Sequence, residues 1–413
     1  MSGDKAIVCC TQEKNFSTEP KNRDRHMATR ELGIIVNGAT GGICSSQHLR
    51  NSLAPIRAEG GLAVGDDLIM PNLLLVGRNP ERLAAIASEI GDVEWTTDLD
   101  AALHNTAFPV FFDASSTHLR FDLLKRAIAA SKHIYTEKPL APSVEDGLAL
   151  FKAAEANGLK HGVVEDKLFL PGFRKLRHLV DSGFFGRIIG FHIEFGWWVF
   201  DGIESDSQRP SWNYQKTNGG GLISDMHPHW RYIIEGILGP IDKVAATSWT
   251  GQTKRADEAG NPFNVDVEDN VHTLLEMADG ARGSILSSWA TRVRRDDLVT
   301  FQVDGIDGSA VAGIRRCWKQ AGSDTPTLRG FQMGRVEEAM KIAMDYHESW
   351  QEVPDVAPYK NPYRLGWEAF INHVVTDTPF YADFSAGIRD VQLVKACQRS
   401  AEDGSWIDMT QIR

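Results

Sequence analysis

Two short segments of this sequence carry side chains that can exchange protons with a hydroxyl or carbonyl group. The first is Glu137-Lys138-Pro139, in which the Lys138 ammonium can donate a hydrogen bond to an oxygen that gains negative charge. The second is a run of three glycines at 219–221, which precedes Asp225 and His229. An imidazole has its pKa near neutrality and can accept a proton from an alcohol. These residue types indicate acid–base chemistry at a carbon that bears oxygen.

Asp225 and His229 are four positions apart, so a helix after the glycines places them on one face, where the carboxylate can orient the imidazole. Pro228 is expected in the first turn of this helix, where a missing N–H costs nothing. A histidine with a purely structural role in a capped helix is one alternative. A zinc site of Asp225, His227 and His229 is another, but the spacing of the two histidines disfavours it, and no metal is predicted.

A glycine-rich turn, NGATGG, spans residues 37–42 between an apolar strand-like run and a helix-compatible stretch. Glycines permit a tight turn there, and backbone N–H groups at a helix start can bind a pyrophosphate. A purely structural turn is the alternative. The residues predicted to hold a dinucleotide in this turn are Gly38, Thr40, Gly41, Gly42 and Ile43.

The second strand ends in Val76-Gly77-Arg78-Asn79, where an acidic residue usually binds the ribose 2′-hydroxyl of NAD. Arg78 can instead pair with a 2′-phosphate, so the sequence favours NADP over NAD. The alternative is an exposed arginine in a turn.

Strands alternate with helices from about residue 31 to 164, which predicts an α/β domain with a parallel sheet of the Rossmann type. Beyond 165, long β-prone runs predict an α+β domain with a large, mostly antiparallel open sheet. Residues 1–30 are predicted to be a disordered tail, 31–164 the dinucleotide-binding domain and 165–413 a substrate and oligomerisation domain. Residues 320–360 are rich in glycine, proline and charge and are interpreted as an excursion.

The composition sets broad limits on the function. The chain has 413 residues and a net charge of −11, which disfavours a nucleic-acid partner because phosphate binding needs clustered basic residues. No apolar run is long enough to cross a bilayer, so no membrane partner is predicted. Five cysteines without paired spacing indicate reduced thiols and a cytoplasmic location.

The glycine turn, the Glu-Lys-Pro segment and the Gly-Gly-Gly-x-x-x-Asp-x-x-x-His segment, in this order, resemble the glucose-fructose oxidoreductase, inositol dehydrogenase and rhizopine-catabolism family, Gfo/Idh/MocA, over roughly residues 31–400. The resemblance implies an active site in the cleft between the two domains and an open sheet that joins subunits into a homodimer or homotetramer. It also implies Lys138, Asp225 and His229 as the catalytic lysine, acid and histidine. Glu137, Lys138, Ser115 and Thr117 would contact the cofactor, although Ser115, Thr117 and Arg120 depart from the family's usual pattern.

The resemblance further implies hydride transfer between a nicotinamide and a hydroxyl or keto carbon of a sugar, sugar derivative or cyclitol. Lys167 stands where the family often places a basic residue facing the substrate. Aromatic faces suit a sugar ring, although they equally suit sheet or subunit interfaces. The remaining predicted substrate contacts are Trp198, Arg209, Trp212 and His227. Two other functions remain open: a glycosidase that uses tightly bound NAD(P) for transient oxidation, and a non-catalytic cofactor-sensing regulator.

Overall fold

The computed structural model describes residues 28–205, 207–325 and 347–413. Most of the predicted N-terminal tail therefore lies outside the described residues. Its last three residues, 28–30, do not belong to a tail, because they form the start of the first strand. No helix in these ranges is long and apolar enough to cross a membrane.

The first domain alternates strands and helices, as predicted. A π-helical segment, Cys44–Leu53, follows the first strand and continues into the first α-helix. The strands are β1 (Ala28–Asn37), β2 (Leu62–Val64), β3 (Asp67–Val76), β4 (Glu94–Thr96), β5 (Val110–Asp113), β6 (His133–Thr136) and β7 (His161–Val163). The helices are α1 (Ala54–Ala58), α2 (Pro80–Glu89), α3 (Leu99–His104), α4 (Thr117–Ala129) and α5 (Val144–Ala156).

These strands form one sheet in the order β2-β3-β1-β5-β6-β7, with β4 beside β3. All pairs are parallel except β2 with β3. Ile34, Ile35 and Val36 of the central strand β1 are fully buried, because helices cover both faces of the sheet. The parallel Rossmann-type sheet is therefore confirmed, and the carboxyl ends of β1, β3, β5 and β6 meet at one edge.

The second domain opens with a 3₁₀ turn (Asp166–Phe169) and two helices that flank a long strand. The helices are α6 (Pro171–Asp181) and α7 (Leu222–Leu238), and α8 (Pro362–Thr376) and α9 (Phe384–Asp403) follow near the C-terminus. The strands are β8 (Ile188–Gly196), β9 (Ile241–Trp249), β10 (Lys254–Ala256), β11 (Pro262–Asn264), β12 (Asn270–Met277), β13 (Arg282–Ser288), β14 (Val299–Gly305), β15 (Gly308–Ala312), β16 (Cys317–Ala321), β17 (Gln351–Glu352) and β18 (Ile407–Asp408).

The described strands of the large sheet run in the order β17-β16-β15-β14-β8-β13-β12-β9-β18. Only β8 and β13 pair in parallel among these described strands, so the predicted mostly antiparallel sheet is confirmed. One face packs against α6, α7 and α9. The other face leaves Trp249 and Leu274 exposed.

The predicted excursion at 320–360 falls between β16 and β17, which pair with each other. Its central residues, 326–346, lie outside the described residues. Helix α8 returns to the first domain, because its Trp367 and Phe370 belong to the same buried cluster as Val36 and Phe112. The first domain's core therefore includes a helix from the region that the sequence analysis assigned to the second domain.

Candidate active site

The glycine turn between β1 and the π-helical segment fits a dinucleotide. Gly38 has φ of 79°, and a Cβ there would lie 2.9 Å from the backbone of Ala114, so only glycine suits the position. At Gly42, in contrast, a Cβ would have no neighbour within 4 Å, and Ile43 is half exposed. The turn is thus tight at its base and open to solvent at the helix start, where unpaired amide groups attract phosphate.

The Glu-Lys-Pro segment follows β6 at the same sheet edge and is fixed by the buried Arg120. The Arg120 guanidinium pairs with Asp113 (3.1 Å) and donates to the backbone oxygens of Pro139 (2.6 Å) and Ser115 (2.8 Å). Ser115 also donates to Asp113 through its hydroxyl (3.0 Å). The cation therefore ties the end of β5 to the segment that carries Lys138.

Glu137 is held by residues that the sequence analysis did not identify. The indole N–H of Trp367 donates to His48 Nδ1 (3.1 Å), which makes Nε2 the protonated nitrogen that donates to Glu137 Oε1 (2.8 Å). The other Glu137 oxygen accepts from the Lys138 amide (3.2 Å). Burial raises the pKa of Glu137, but the hydrogen bond from His48 and the nearby cations outweigh burial and leave the pKa below its usual value. Glu137 is therefore a carboxylate at neutral pH.

Helix α7 begins earlier than the sequence analysis expected. The Glu268 side chain accepts from the Ile223 amide (2.8 Å), and its carbonyl accepts from the Leu222 amide (3.1 Å), so a residue outside the helix caps it. Pro228 consequently lies inside the helix and not in its first turn, which corrects the prediction. Gly220 is required by the chain itself, because a Cβ there would lie 2.4 Å from the Asn213 carbonyl oxygen.

The two domains meet at Asp225. Lys138 Nζ lies 2.9 Å from Asp225 Oδ1 and 3.0 Å from its carbonyl oxygen. Arg209 forms an ion pair with Asp225 Oδ2, and its guanidinium lies 5.0 Å from the centre of the Trp289 ring. Burial raises the pKa of Asp225, but the charges of Lys138 and Arg209 outweigh burial and hold the pKa below its usual value. Both carboxylate oxygens are thus committed to cations.

His229 is buried one turn further along α7, and its Nδ1 lies 2.7 Å from the Tyr232 hydroxyl. That hydroxyl donates to Asp166 Oδ1 (3.2 Å), whose other oxygen pairs with Lys167 Nζ (2.7 Å). Burial lowers the pKa of His229 well below its usual value, and the charges of Lys167, Lys138 and Arg209 lower it further. The ring is therefore neutral at neutral pH, and Nε2 is the nitrogen left for a substrate.

The structure does not bring all predicted residues to this cluster. His227 is fully buried with Nε2 3.0 Å from Thr273 Oγ1 on β12, and burial lowers its pKa to about 3. The Arg292 guanidinium covers the Trp198 ring at 3.7 Å, while Trp212 is exposed in a 3₁₀ turn. Because His227 faces the sheet and Asp225 faces cations, the three candidate zinc ligands do not converge.

Arg78 is exposed at the carboxyl end of β3, beside the glycine turn. The neighbouring Arg82 donates to the Thr40 carbonyl oxygen (3.0 Å) and so links the two loops. Asn79 caps α2 by accepting from the Arg82 amide (2.9 Å). Of the three polar side chains that follow this strand, Arg78 and Arg82 are thus cationic, and Asn79 is engaged in capping α2.

Known dehydrogenases share most of the length of this sequence. The chain is 40% identical to a D-xylose dehydrogenase of Paenarthrobacter nicotinovorans over 389 residues, which cover 93% of this chain and 99% of that protein. It is 27% identical to a levoglucosan dehydrogenase of Pseudarthrobacter phenanthrenivorans over 354 residues, 81% of this chain and 88% of that protein.

Solved structures share the fold. A levoglucosan dehydrogenase in complex with NADH and levoglucosan superposes with a TM-score of 0.74 at 22% identity and covers 92% of this chain and 100% of its own. Residues 34–164 match the oxidoreductase family with an NAD-binding Rossmann fold, and residues 173–311 match the GFO/IDH/MocA C-terminal domain. The chain is an enzyme of the Gfo/Idh/MocA family of oxidoreductases.

Proposed function

We propose that this enzyme oxidises a hydroxyl group of a monosaccharide, with an aldopentose such as D-xylose as the preferred substrate class and NADP as the preferred hydride acceptor. The observation that carries the proposal is the meeting of Lys138 from the first domain with Asp225 and His229 from the second. The 40% identity to a D-xylose dehydrogenase over 99% of that protein supports the substrate class.

The cofactor site consists of residues at the sheet edge. The open helix start at Gly42 and Ile43 suits a pyrophosphate, and Glu137, Ser115 and Thr117 lie at the neighbouring strand ends. When bound, the nicotinamide supplies a carbon that accepts hydride. Arg78 supports NADP because an exposed guanidinium pairs well with a 2′-phosphate. The NADH in the solved levoglucosan dehydrogenase makes NAD the alternative.

The proton chemistry falls to three side chains. Nε2 of His229 accepts the proton of the substrate hydroxyl as hydride leaves the carbon that bears this hydroxyl. Lys138 donates a hydrogen bond to that oxygen and stabilises its negative charge. Asp225 holds the Lys138 ammonium in place through the 2.9 Å contact. In the reverse direction the same groups protonate the alkoxide.

Sugar recognition is assigned to polar and aromatic groups around this centre. Arg209 and Lys167 flank His229, because Arg209 pairs with Asp225 one turn before it, and Lys167 pairs with Asp166, which accepts from the Tyr232 hydroxyl beside His229. Arg209 can leave Asp225 and donate to sugar hydroxyls, and the exposed Trp212 on the same loop offers a ring face. Trp198 would offer only the ring face that Arg292 leaves uncovered. His227 is buried between α7 and β12, so it would affect the substrate only indirectly, by packing that holds α7 in place.

The exposed face of the large sheet supports the proposal of a homodimer or homotetramer. Trp249 and Leu274 lie on that face, and the Trp249 ring packs edge-on against His272 at 5.0 Å. Light scattering on the purified chain tests this, and a monomer at micromolar concentration would contradict it.

The decisive experiment for the function is a substrate panel with both cofactors, followed at the nicotinamide absorbance band. The panel contains D-xylose, L-arabinose, D-glucose, myo-inositol, levoglucosan and an aryl glycoside. We expect reduced cofactor with free aldoses and the highest kcat/KM with a pentose. Release of the aryl group without net reduced cofactor would favour a glycosidase, and cofactor binding without turnover on any compound would favour a regulator.

A further inference from the structure

A buried chain of hydrogen bonds leads from His229 away from Lys138 and Asp225. It runs from His229 Nδ1 to the Tyr232 hydroxyl (2.7 Å), then to Asp166 Oδ1 (3.2 Å), and ends at the ion pair of Asp166 with Lys167 (2.7 Å). Tyr232 and Asp166 are almost completely buried, whereas the Lys167 side chain is 30% exposed. We propose that Tyr232 and Asp166 are positioning residues that hold His229 as its Nδ1-protonated tautomer, with Nε2 free to accept the substrate proton.

The tautomer follows from the single proton on the Tyr232 oxygen. The Lys167 backbone N–H, 3.3 Å from this oxygen, can only donate to it. Asp166 is paired with an ammonium and is therefore ionised, so it can only accept. The Tyr232 proton must go to Asp166, because two oxygens with no proton between them would repel each other at 3.2 Å. The hydroxyl oxygen then accepts from His229, and Nδ1 must carry the proton.

This arrangement leaves the correct nitrogen free. A neutral imidazole has one donor and one acceptor nitrogen, so protonation at Nδ1 makes Nε2 the acceptor. Burial and the charge of Asp166 raise the pKa of Tyr232 well above its usual value, which keeps its hydroxyl protonated over the working range. The opposite tautomer would present an N–H to the substrate hydroxyl and could not accept its proton.

Asp225 cannot take this role, although it lies one turn from His229. Its two oxygens are engaged by Lys138 and Arg209. The carboxylate that is connected to the imidazole, through the Tyr232 hydroxyl, is that of Asp166. When Nε2 accepts the substrate proton, the ring gains a positive charge among the cations of Lys138, Lys167 and Arg209. The Asp166 carboxylate, reached through Tyr232, offsets part of this charge.

The inference rests on the proposed function, and three variants separate the two. Tyr232→Phe removes the hydroxyl. Asp166→Asn keeps an oxygen that can accept the Tyr232 proton but removes the negative charge. Tyr363→Phe is the matched control, because Tyr363 also lies next to Asp166, which raises the pKa of the Tyr363 hydroxyl. This hydroxyl, however, has no hydrogen bond to His229 among the described residues.

The first readout is spectroscopic and independent of turnover. Long-range ¹H–¹⁵N spectra of histidine-labelled enzyme report which ring nitrogen carries the proton, and the signal that disappears in His229→Gln identifies this residue. We expect an Nδ1–H signal in the wild type, Asp166→Asn and Tyr363→Phe, and averaged nitrogen shifts in Tyr232→Phe. An Nε2–H signal assigned to His229 in the wild type would overturn the inference even if Tyr232→Phe and Asp166→Asn failed to fold.

The second readout is kinetic. We expect Tyr232→Phe to lower kcat by about tenfold to a hundredfold, the scale seen when the orienting partner of a metal-bound histidine is removed, while the KM for the cofactor stays within about twofold. Asp166→Asn should lower kcat as well. Wild-type kcat in Tyr232→Phe together with an inactive His229→Gln would overturn only this inference. Full activity of His229→Gln would instead overturn the proposed function.

Discussion

Lys138 and Asp225 are 87 positions apart in the chain, yet the Lys138 ammonium donates both to the Asp225 carboxylate at 2.9 Å and to its carbonyl oxygen at 3.0 Å. The lysine follows a parallel strand of the first domain, and the aspartate lies in the first turn of α7 in the second. This pair is therefore a direct link between the cofactor-binding body and the helix that carries His229.

Replacement of Lys138 tests this link. We expect Lys138→Met to lower turnover by at least about a hundredfold, because the oxygen of the substrate loses its cationic hydrogen-bond donor. Cofactor binding, followed by fluorescence of the reduced nicotinamide, should persist. Lys360→Met is the matched control, since Lys360 is an exposed lysine just before α8 and also pairs with a carboxylate, that of Glu368, at 2.9 Å. Near-normal turnover in Lys138→Met would remove this residue from the mechanism.

The pH dependence of kcat/KM reports the His229 imidazole. Since burial and three cations lower its pKa, the base form persists below pH 6.5 and the acid limb for sugar oxidation should lie below that value. Lys167→Met removes one cation and leaves Asp166 unpaired, and both changes raise the His229 pKa. The acid limb should thus move to higher pH by about one unit.

The control for this shift is Lys152→Met, which removes the same charge from an exposed position on α5. The limb should not move in this variant. A limb that stays in place in Lys167→Met, or moves to lower pH, would show that His229 is not the group that titrates.

The cofactor preference depends on Arg78. Arg78→Ala should lower kcat/KM for NADP about tenfold or more, the scale of one charge-assisted hydrogen bond, and leave the value for NAD nearly unchanged. Arg82→Ala provides the contrast, because Arg82 supports the glycine turn through Thr40 and should affect both cofactors alike. Equal losses with both cofactors in Arg78→Ala would exclude a 2′-phosphate contact.

Much of the fold could be predicted because its signals are local. Apolar strands followed by helices predict a parallel sheet, and the carboxyl ends of such strands share an edge. This is why Gly38, Ser115 and Lys138 could be expected near one another. The four-residue spacing of Asp225 and His229 likewise required only that α7 be a helix.

The remaining parts of the site depend on distant residues. Trp367 binds His48 across 319 positions, and no local pattern marks either residue. The start of α7 is set by Glu268, which lies 45 positions after Ile223. Tyr232, in contrast, is three residues after His229, and this spacing predicts contact between the two side chains on a helix. Unlike the contacts of Trp367 and Glu268, this contact could therefore be predicted from the sequence.

His227 provides a test of stability that is separate from catalysis. Its ring is fully buried on α7, and burial lowers its pKa to about 3. Above pH 6.5 the imidazole is neutral in both the folded and unfolded states, so its titration takes nothing from the free energy of unfolding. As the pH falls towards 3, the unfolded chain binds a proton that the folded chain excludes. For this residue, the free energy of unfolding therefore falls by about 1.4 kcal/mol per pH unit.

The comparison of His227→Gln with the wild type isolates this effect. Glutamine cannot titrate, and it keeps a polar group that can reach Thr273, so the fall in melting temperature between pH 7 and pH 5 should be smaller than in the wild type. His178→Gln, at an exposed position of α6, should show the wild-type fall. Because His229 and the carboxylates contribute equally to all three proteins, only the difference between the variants reports His227. The same fall in all three proteins would mean that the buried ring accepts a proton in the folded state.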